Sequence, residues 1–285
     1  MREKRREATI ERIVETAMSM LEQEGFEALT IQRLAKKLGY AVGALYRYFV
    51  SKDALLVALL HRVMDRINGD MSTGLELFDA ARSKRLAAAS LPADSPLDKD
   101  DAMQRLLVLT NVYLSFARRR PAEYGLISTL MGDPREFLAT EAAAPIFPGL
   151  VRMQLMLTSV INDAVEAGAL AKGDARERGV ILWSAVQGVL QLRKLGRFGV
   201  AGVELQRLAP ITLRTLLIGW GGDSDRIEAL NPGAEDYAKE LARRHEQAIA
   251  EREAASEASA SEASAADTSS TSSAPTEAPR SESEA

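Results

Sequence analysis

Residues 30–55, TIQRLAKKLGYAVGALYRYFVSKDAL, constrain the fold more than any other stretch of this chain. Thr30 can cap a helix whose inner face is Ile31, Leu34, Ala35 and Leu38, and Gly39 ends it. A short aromatic element follows over about 41–48. Ser51 then caps a long helix, with Asp53 placed for the positive end of its dipole. Two short helices on a tight glycine turn, followed at once by a capped helix, make the layout of a helix-turn-helix. Ahead of it, Ile10, Ile13, Val14, Ala17, Met18 and Leu21 form one apolar stripe, which predicts a first helix from about Arg5 to Glu24 with Gly25 as a left-handed cap.

Helical spacing continues behind this unit. Leu55, Leu56, Leu59, Leu60, Val63, Met64 and Ile67 give the long helix its buried side. The pattern fails from Arg82 to Asp101, where SLPADSPLDKDD predicts a loop. It resumes over about 100–119, and Pro121 suits the first turn of another helix. Three prolines break 133–148. Further helices are expected over about 149–167, 174–195 and 203–218. No strand-like alternation of any length occurs, so the expected fold is all-α. The predicted divisions are a helix-turn-helix domain over 1–50, a helical bundle over 51–222 and a charged, mostly disordered tail over 223–285. Asn231-Pro232 is expected to break the chain, Ala234–Ala255 to form a charged helix with little to bury, and the Ser/Ala/Glu-rich remainder from about Ser256 to stay disordered.

Composition removes several function classes. The chain of 285 residues has no cysteine and two histidines, His61 and His245. Thiol catalysis, disulfides and cysteine-ligated zinc are therefore excluded. No GxSxG is present. His245-Glu246 begins a zinc-protease motif, but Ile249 stands at the second histidine position. Gly196, Gly199 and Gly202 follow a helix, unlike a dinucleotide fingerprint. The reading is no enzyme: no catalytic residue, no metal site and no cofactor. Neither a signal-like apolar core nor an uncharged 18-residue apolar run is found, so a soluble cytoplasmic protein with no membrane partner is expected.

The net charge of −4 resolves by region. Residues 1–66 carry 12 Lys/Arg and 9 Asp/Glu, whereas residues 223–285 carry 6 and 15. The acidity sits in the tail, and the helix-turn-helix is mildly basic, which permits a nucleic-acid partner. Groove insertion requires small side chains at the start of the second short helix, and Ala41, Val42, Gly43 and Ala44 satisfy it. Arg47 can read guanine or grip phosphate, and the hydroxyls of Tyr46 and Tyr48 can bond phosphate oxygens. Thr30 and Lys52 sit at helix N-termini, which favour anions. Leu45 and Phe49 are assigned to the core.

The stretch resembles the N-terminal domain of the TetR family of bacterial transcriptional repressors. The resemblance rests on Gly25-Phe26, Leu29-Thr30, Leu34-Ala35, Leu38-Gly39, Gly43, Leu45-Tyr46, Tyr48-Phe49 and Ser51-Lys52, with Ala54-Leu55 behind them. It implies contacts to double-stranded operator DNA from Thr30, Val42, Gly43, Ala44, Tyr46, Arg47, Tyr48 and Lys52. Two positions depart from the family pattern. Ala41 replaces the usual Ser or Thr, removing a helix cap worth about 1 kcal/mol. Val42 replaces a commonly polar residue and can touch a thymine methyl but cannot hydrogen-bond a base edge. A reader leaning on Arg47, phosphates and DNA shape is the expectation.

YLSFARRRPAEYGLI and WSAVQGVLQL are similar to segments of one TetR ligand-domain subgroup, which often has a Trp-x-x-x-His-Gly core. Gln187 stands where that histidine is usual. The resemblance implies a homodimer built on 174–195 and 203–218, with Val180, Ile181, Trp183, Leu190, Leu208, Ile211, Leu213, Leu216 and Leu217 as candidate interface. A two-fold pair would set its readers about 34–36 Å apart, or a multiple, and favour a palindromic operator. It also implies a small-molecule effector, for which Tyr113, Phe116, Tyr124, Met131, Met156, Trp183 and Gln187 are the candidate lining. The expected function is a DNA-binding transcriptional regulator, a repressor released by its effector. The alternative is an all-α small-molecule binding protein without sequence-specific DNA binding, motivated by Ala41 and Val42. The acidic tail is expected to lower non-specific DNA binding by like-charge repulsion, so that truncation after Gly222 raises it.

Overall fold

Helices supply the regular structure of the residues described, 1–132, 144–192 and 205–270, in this computed structural model. They are α1 (Arg2–Glu24), α2 (Ile31–Leu38), α3 (Val42–Leu45), α4 (Lys52–Ala88), α5 (Lys99–Arg119), α6 (Pro121–Gly132), α7 (Phe147–Glu166), α8 (Ala175–Leu192), α9 (Leu205–Gly219) and α10 (Ser224–Ser270). Short 3-10 turns lie at Phe26–Ala28 and Ala144–Ile146. The all-α expectation holds. One compact unit spans Met1–Lys239 and a second spans Glu240–Ala285.

The local signals act as their chemistry dictates. Thr30 accepts from Arg33 N at 3.2 Å, and Ser51 accepts from Ala54 N at 3.0 Å, each satisfying a first-turn donor. Gly39 takes φ 71°, ψ 27°, the left-handed conformation that closes α2. Gly25 also has positive φ, 82°, but its ψ of 173° is extended, and the chain turns into the 3-10 segment instead of a left-handed cap.

The core of the larger unit is α5. Every residue from Leu106 to Ala117 is buried, because α4, α6 and α7 all pack on it. Close approach to α4 depends on Gly74, where an added Cβ would lie 2.8 Å from Val112 Cγ2. Length and composition alone would let 144–166 cross a bilayer. Here α7 packs on α4, α5 and α8, and Arg152 in its middle faces Asp65 at 3.7 Å.

Two further sequence expectations are corrected. The loop expected over 82–101 is confined to 89–98: α4 runs on to Ala88, and Arg82 reaches Asp101 (2.8 Å), Ser95 O (2.8 Å) and Pro96 O (2.7 Å). The chain does not break at Asn231-Pro232, which lies inside α10. Asn231 accepts from Asn111 at 2.9 Å and donates to Glu235 at 2.8 Å. Ile227, Ala234 and Ala238 are buried, and Tyr237 meets Phe78 edge-on with centroids 5.9 Å apart. These contacts outweigh the backbone hydrogen bond that Pro232 removes. Residues 224–239 are therefore core, not tail. The helix continues to Ser270, past the point where composition predicts disorder. At the start of the smaller unit, hydrogen bonds from Arg243 and then Arg244 hold the Glu240 carboxyl down at about 2, the kind of pairing that supports an exposed helix. The proline-broken stretch 133–143, the end of the helix expected over 174–195, the start of the one expected over 203–218, and residues 271–285 lie outside the described residues.

Truncation after Gly222 would thus remove core as well as charge. Thermal melts should show a markedly lower midpoint for that truncation. Leu241 is buried as well, so a cut after Ala250 is the variant that tests the tail's charge, and it should keep the midpoint while raising non-specific DNA affinity, most at low salt.

Candidate nucleic-acid interface

The segment after the Gly39 turn sorts cleanly by exposure. Leu45 (1% exposed) and Phe49 (7%) point inward and anchor it. Ala41, Val42, Gly43, Tyr46 and Arg47 are exposed, Ala44 and Tyr48 half-buried. The α-helix proper is only Val42–Leu45, and 46–48 continue it as turns. Ala41 gives α3 no side-chain cap, as expected from its methyl group. Ala44 N, which a serine cap would bind, meets Ala41 O at 2.9 Å instead, and the N–H groups of Val42 and Gly43 are left to another acceptor.

The flanking candidates are partly engaged. Thr30 Oγ1 is taken up by its capping bond, so the half-buried Thr30 acts first as a helix cap. Lys52 Nζ lies 5.7 Å from the Phe26 ring centroid. Arg33 pairs with Glu24, which also faces Lys37 at 3.5 Å. Val50, 83% exposed, adds an apolar point that the sequence reading did not single out. The exposed candidates thus share a protruding segment held by a buried pair of side chains.

A charge cluster behind this surface was also missed. Glu123 on α6 is fully buried and pairs with Arg66 of α4 and with Arg120 at 2.8 Å. Glu22 of α1 faces the same two guanidinium groups at 3.5 and 3.6 Å. Burial, then the Glu22 carboxyl, push Glu123 above the usual carboxylate range, and Arg66 and Arg120 oppose them. The cluster joins α1 to α4 and α6. The only sequence signal for it was a set of charges lying off each apolar stripe.

The candidate effector residues separate. Tyr113 (2.7 Å) and Tyr124 (2.5 Å) both donate to Gln187 Oε1. Burial pushes the Tyr113 phenol well above its ordinary value, and the nearby Trp183 indole pulls it partly back. Tyr113 and Trp183 line a cavity of about 30 Å³ together with Met71, Leu109, Thr110, Leu114, Met153, Leu157, Leu182, Val186 and Leu213. Phe116 is buried and Met156 half-buried, and neither lines that cavity. Met153 does, because it shares a helix face with Leu157 and Val160. The side chain of Met131 lies outside the described residues. A wider, open cavity of about 610 Å³ lies between α5, α9 and α10, with Arg118, Arg207, Arg214 and Glu228 on its walls; none of the candidates lines it.

Comparison with known proteins places both halves. The model described as "Bacterial regulatory proteins, tetR family" matches residues 13–59, and "Tetracyclin repressor-like, C-terminal domain" matches residues 106–216. The uncharacterized HTH-type transcriptional regulator Rv0681 of Mycobacterium tuberculosis is 30% identical over 190 residues, 65% of this chain and 70% of that protein. The HTH-type transcriptional repressor KstR of Rhodococcus jostii is 40% identical over 57 residues, 20% of this chain and 27% of its own. A TetR transcription regulator from Haloarcula marismortui has the same fold, with a TM-score of 0.50, 19% identity and coverage of 82% of this chain and 97% of that one.

The Glu123 cluster yields a test. Glu123→Ala should lower stability in chemical denaturation by roughly 2–3 kcal/mol, less than for a fully isolated buried pair because Glu22 still faces both guanidinium groups.

Proposed function

The chain belongs to the TetR family of bacterial regulatory proteins and is a DNA-binding transcriptional regulator; from that premise we propose that it is a repressor whose homodimer holds a palindromic operator until a small-molecule effector releases it. Regulators of this family bind DNA operators and small-molecule ligands and act as dimers. The observation that carries the reading is the exposure of Tyr46 and Arg47 on a segment whose alternate side chains, Leu45 and Phe49, are buried.

In this proposal the backbone N–H groups ahead of Val42 and Gly43 meet phosphate. Val42 and Ala44 pack against the groove wall, Arg47 reads guanine or grips phosphate, and Tyr46, Tyr48, Thr30 and Lys52 fix the register. The uncapped start of α3 favours this arrangement, because a phosphate oxygen can supply the acceptor that Ala41 lacks. Apolar exposure supports the dimer. Leu190, Leu213 and Leu217 are consumed inside the protomer, but Val180 (52% exposed) and Ile181 (48%) on α8, and Ile211 (51%) on α9, are left for a partner. The effector site would be the cavity bordered by Tyr113 and Trp183. The domain divisions proposed are 1–50 for DNA and 51–222, extended by 223–239, for ligand and dimer.

Nuclease footprinting on the DNA upstream of its own gene tests the proposal, with a two-fold symmetric protected site as the supporting result and no protection at any salt concentration as the refuting one. Arg47→Ala should weaken specific binding by roughly 1–3 kcal/mol, about fivefold to 150-fold in gel retardation. Unchanged affinity would take Arg47 off the contact surface.

A further inference from the structure

The open cavity of about 610 Å³ differs in kind from the small one beside Tyr113 and Trp183. Leu114 and Leu213 line both and form the partition between them. Leu107, Ile211 and Ile227 extend the apolar wall of the larger space. Three arginines stand on the same walls: Arg118 in the last turn of α5, Arg207 in the first turn of α9, and Arg214 two turns further along α9. Glu228 is the one acidic residue among the described lining, and Arg214 takes it at 2.9 Å while donating to Ser224 at 2.8 Å. The lining is therefore cationic. The run Arg118–Arg120 divides here. Arg119 donates to Ser115 Oγ at 3.2 Å and Arg120 is held by Glu123, whereas Arg118 is exposed on the cavity wall and meets no carboxylate among the described residues. The helix dipole accounts for a cation at the end of α5 but disfavours Arg207 at the start of α9. The wall supplied by α10 lies beyond the stretch that matches the family's C-terminal domain, which ends at residue 216.

The space has the volume of an ordinary small-molecule site, about 300–1,000 Å³. An organic cation in it would face like charge. A wholly apolar ligand would take water from the guanidinium groups and return no partner. An inorganic anion would meet the arginines and leave the leucine and isoleucine walls wet. We propose that this cavity is a second ligand site, separate from the one bordered by Tyr113 and Trp183, and that it takes an amphipathic organic anion. The ligand's carboxylate or phosphate head accepts from Arg118 and Arg207, whose planar forks suit either group. Its apolar body lies along Leu107, Leu114, Leu213 and Ile227. The site does not depend on what the small cavity binds. Because Leu114 and Leu213 close that cavity too, an occupant here presses on its wall.

Calorimetric titration of the full-length protein at pH 7.5 with octanoate, octyl phosphate and octanol, each below its micellar concentration, tests the site. At least one of the two anions should bind, and Arg118→Gln should weaken that binding at least tenfold while leaving octanol unchanged. The Arg118→Gln/Arg207→Gln double variant should abolish it. Either order of the two anions supports the site, and the tighter one identifies the head group. Arg118 is exposed, so the variant should keep the melting temperature of the parent, and Arg118→Lys, which restores the charge, should recover part of the affinity. Anion binding of equal strength in the parent and in both glutamine variants overturns the site by placing the ligand elsewhere. A loss on Arg118→Gln that is as large for octanol as for the anions overturns the ligand class. No heat from either anion overturns both.

Discussion

Glu22, Arg66, Arg120 and Glu123 tie α1, which backs the DNA-binding helices, to α4 and α6 of the domain behind them. Two carboxylates and two guanidinium groups share a site in which Glu123 has no access to water. Removing such groups from solvent is costly unless each meets an opposite charge at close range. The arrangement therefore tolerates few relative positions of the three helices. A displacement of α6 must either drag α1 with it or separate buried charges. Tyr124 follows Glu123 directly in the chain and hydrogen-bonds Gln187, so the polar centre of the ligand domain and the charge cluster are carried by one rigid element.

The reading surface is held more lightly. Its helix is a single turn, lacks a side-chain cap and depends on Leu45 and Phe49 for its position. Such a segment loses little by waiting for phosphate oxygens to complete its N-terminus, which fits a reader with one arginine and no amide side chain on its exposed face. The hydrogen bonds of α2 and α4 are by contrast closed internally by Thr30 and Ser51, so the frame around α3 is preformed and only the inserted turn is left open.

Much of this was legible from residue order. Caps at Thr30 and Ser51, the left-handed Gly39 and the inward Leu45 and Phe49 all follow from interactions within four residues of each other, and the structure agrees with each. The pairing of Gln187 with two tyrosines 63 and 74 positions away was not legible. Resemblance brought those residues onto one candidate list, but nothing local says that their hydroxyls converge on one oxygen. Asn231-Pro232 was read as a break because its local chemistry is that of a turn. Its helical conformation is imposed by Asn111 and Phe78, both distant in sequence, which meet the helix face that Ile227 shares.

The sequence by itself determined the helices, the outward-facing turn that carries Arg47 and, through a run of specific residues, the family. These depend on periodicity and capping, whose range is one or two helical turns. Tertiary structure alone decided that Glu123 would be buried between two arginines, that α10 would complete the core, and that Gln187 would meet two phenols at once. Each of those outcomes depends on which faces meet when the helices pack, because the energy of a buried polar group is set by its neighbours in space rather than by its neighbours in the chain.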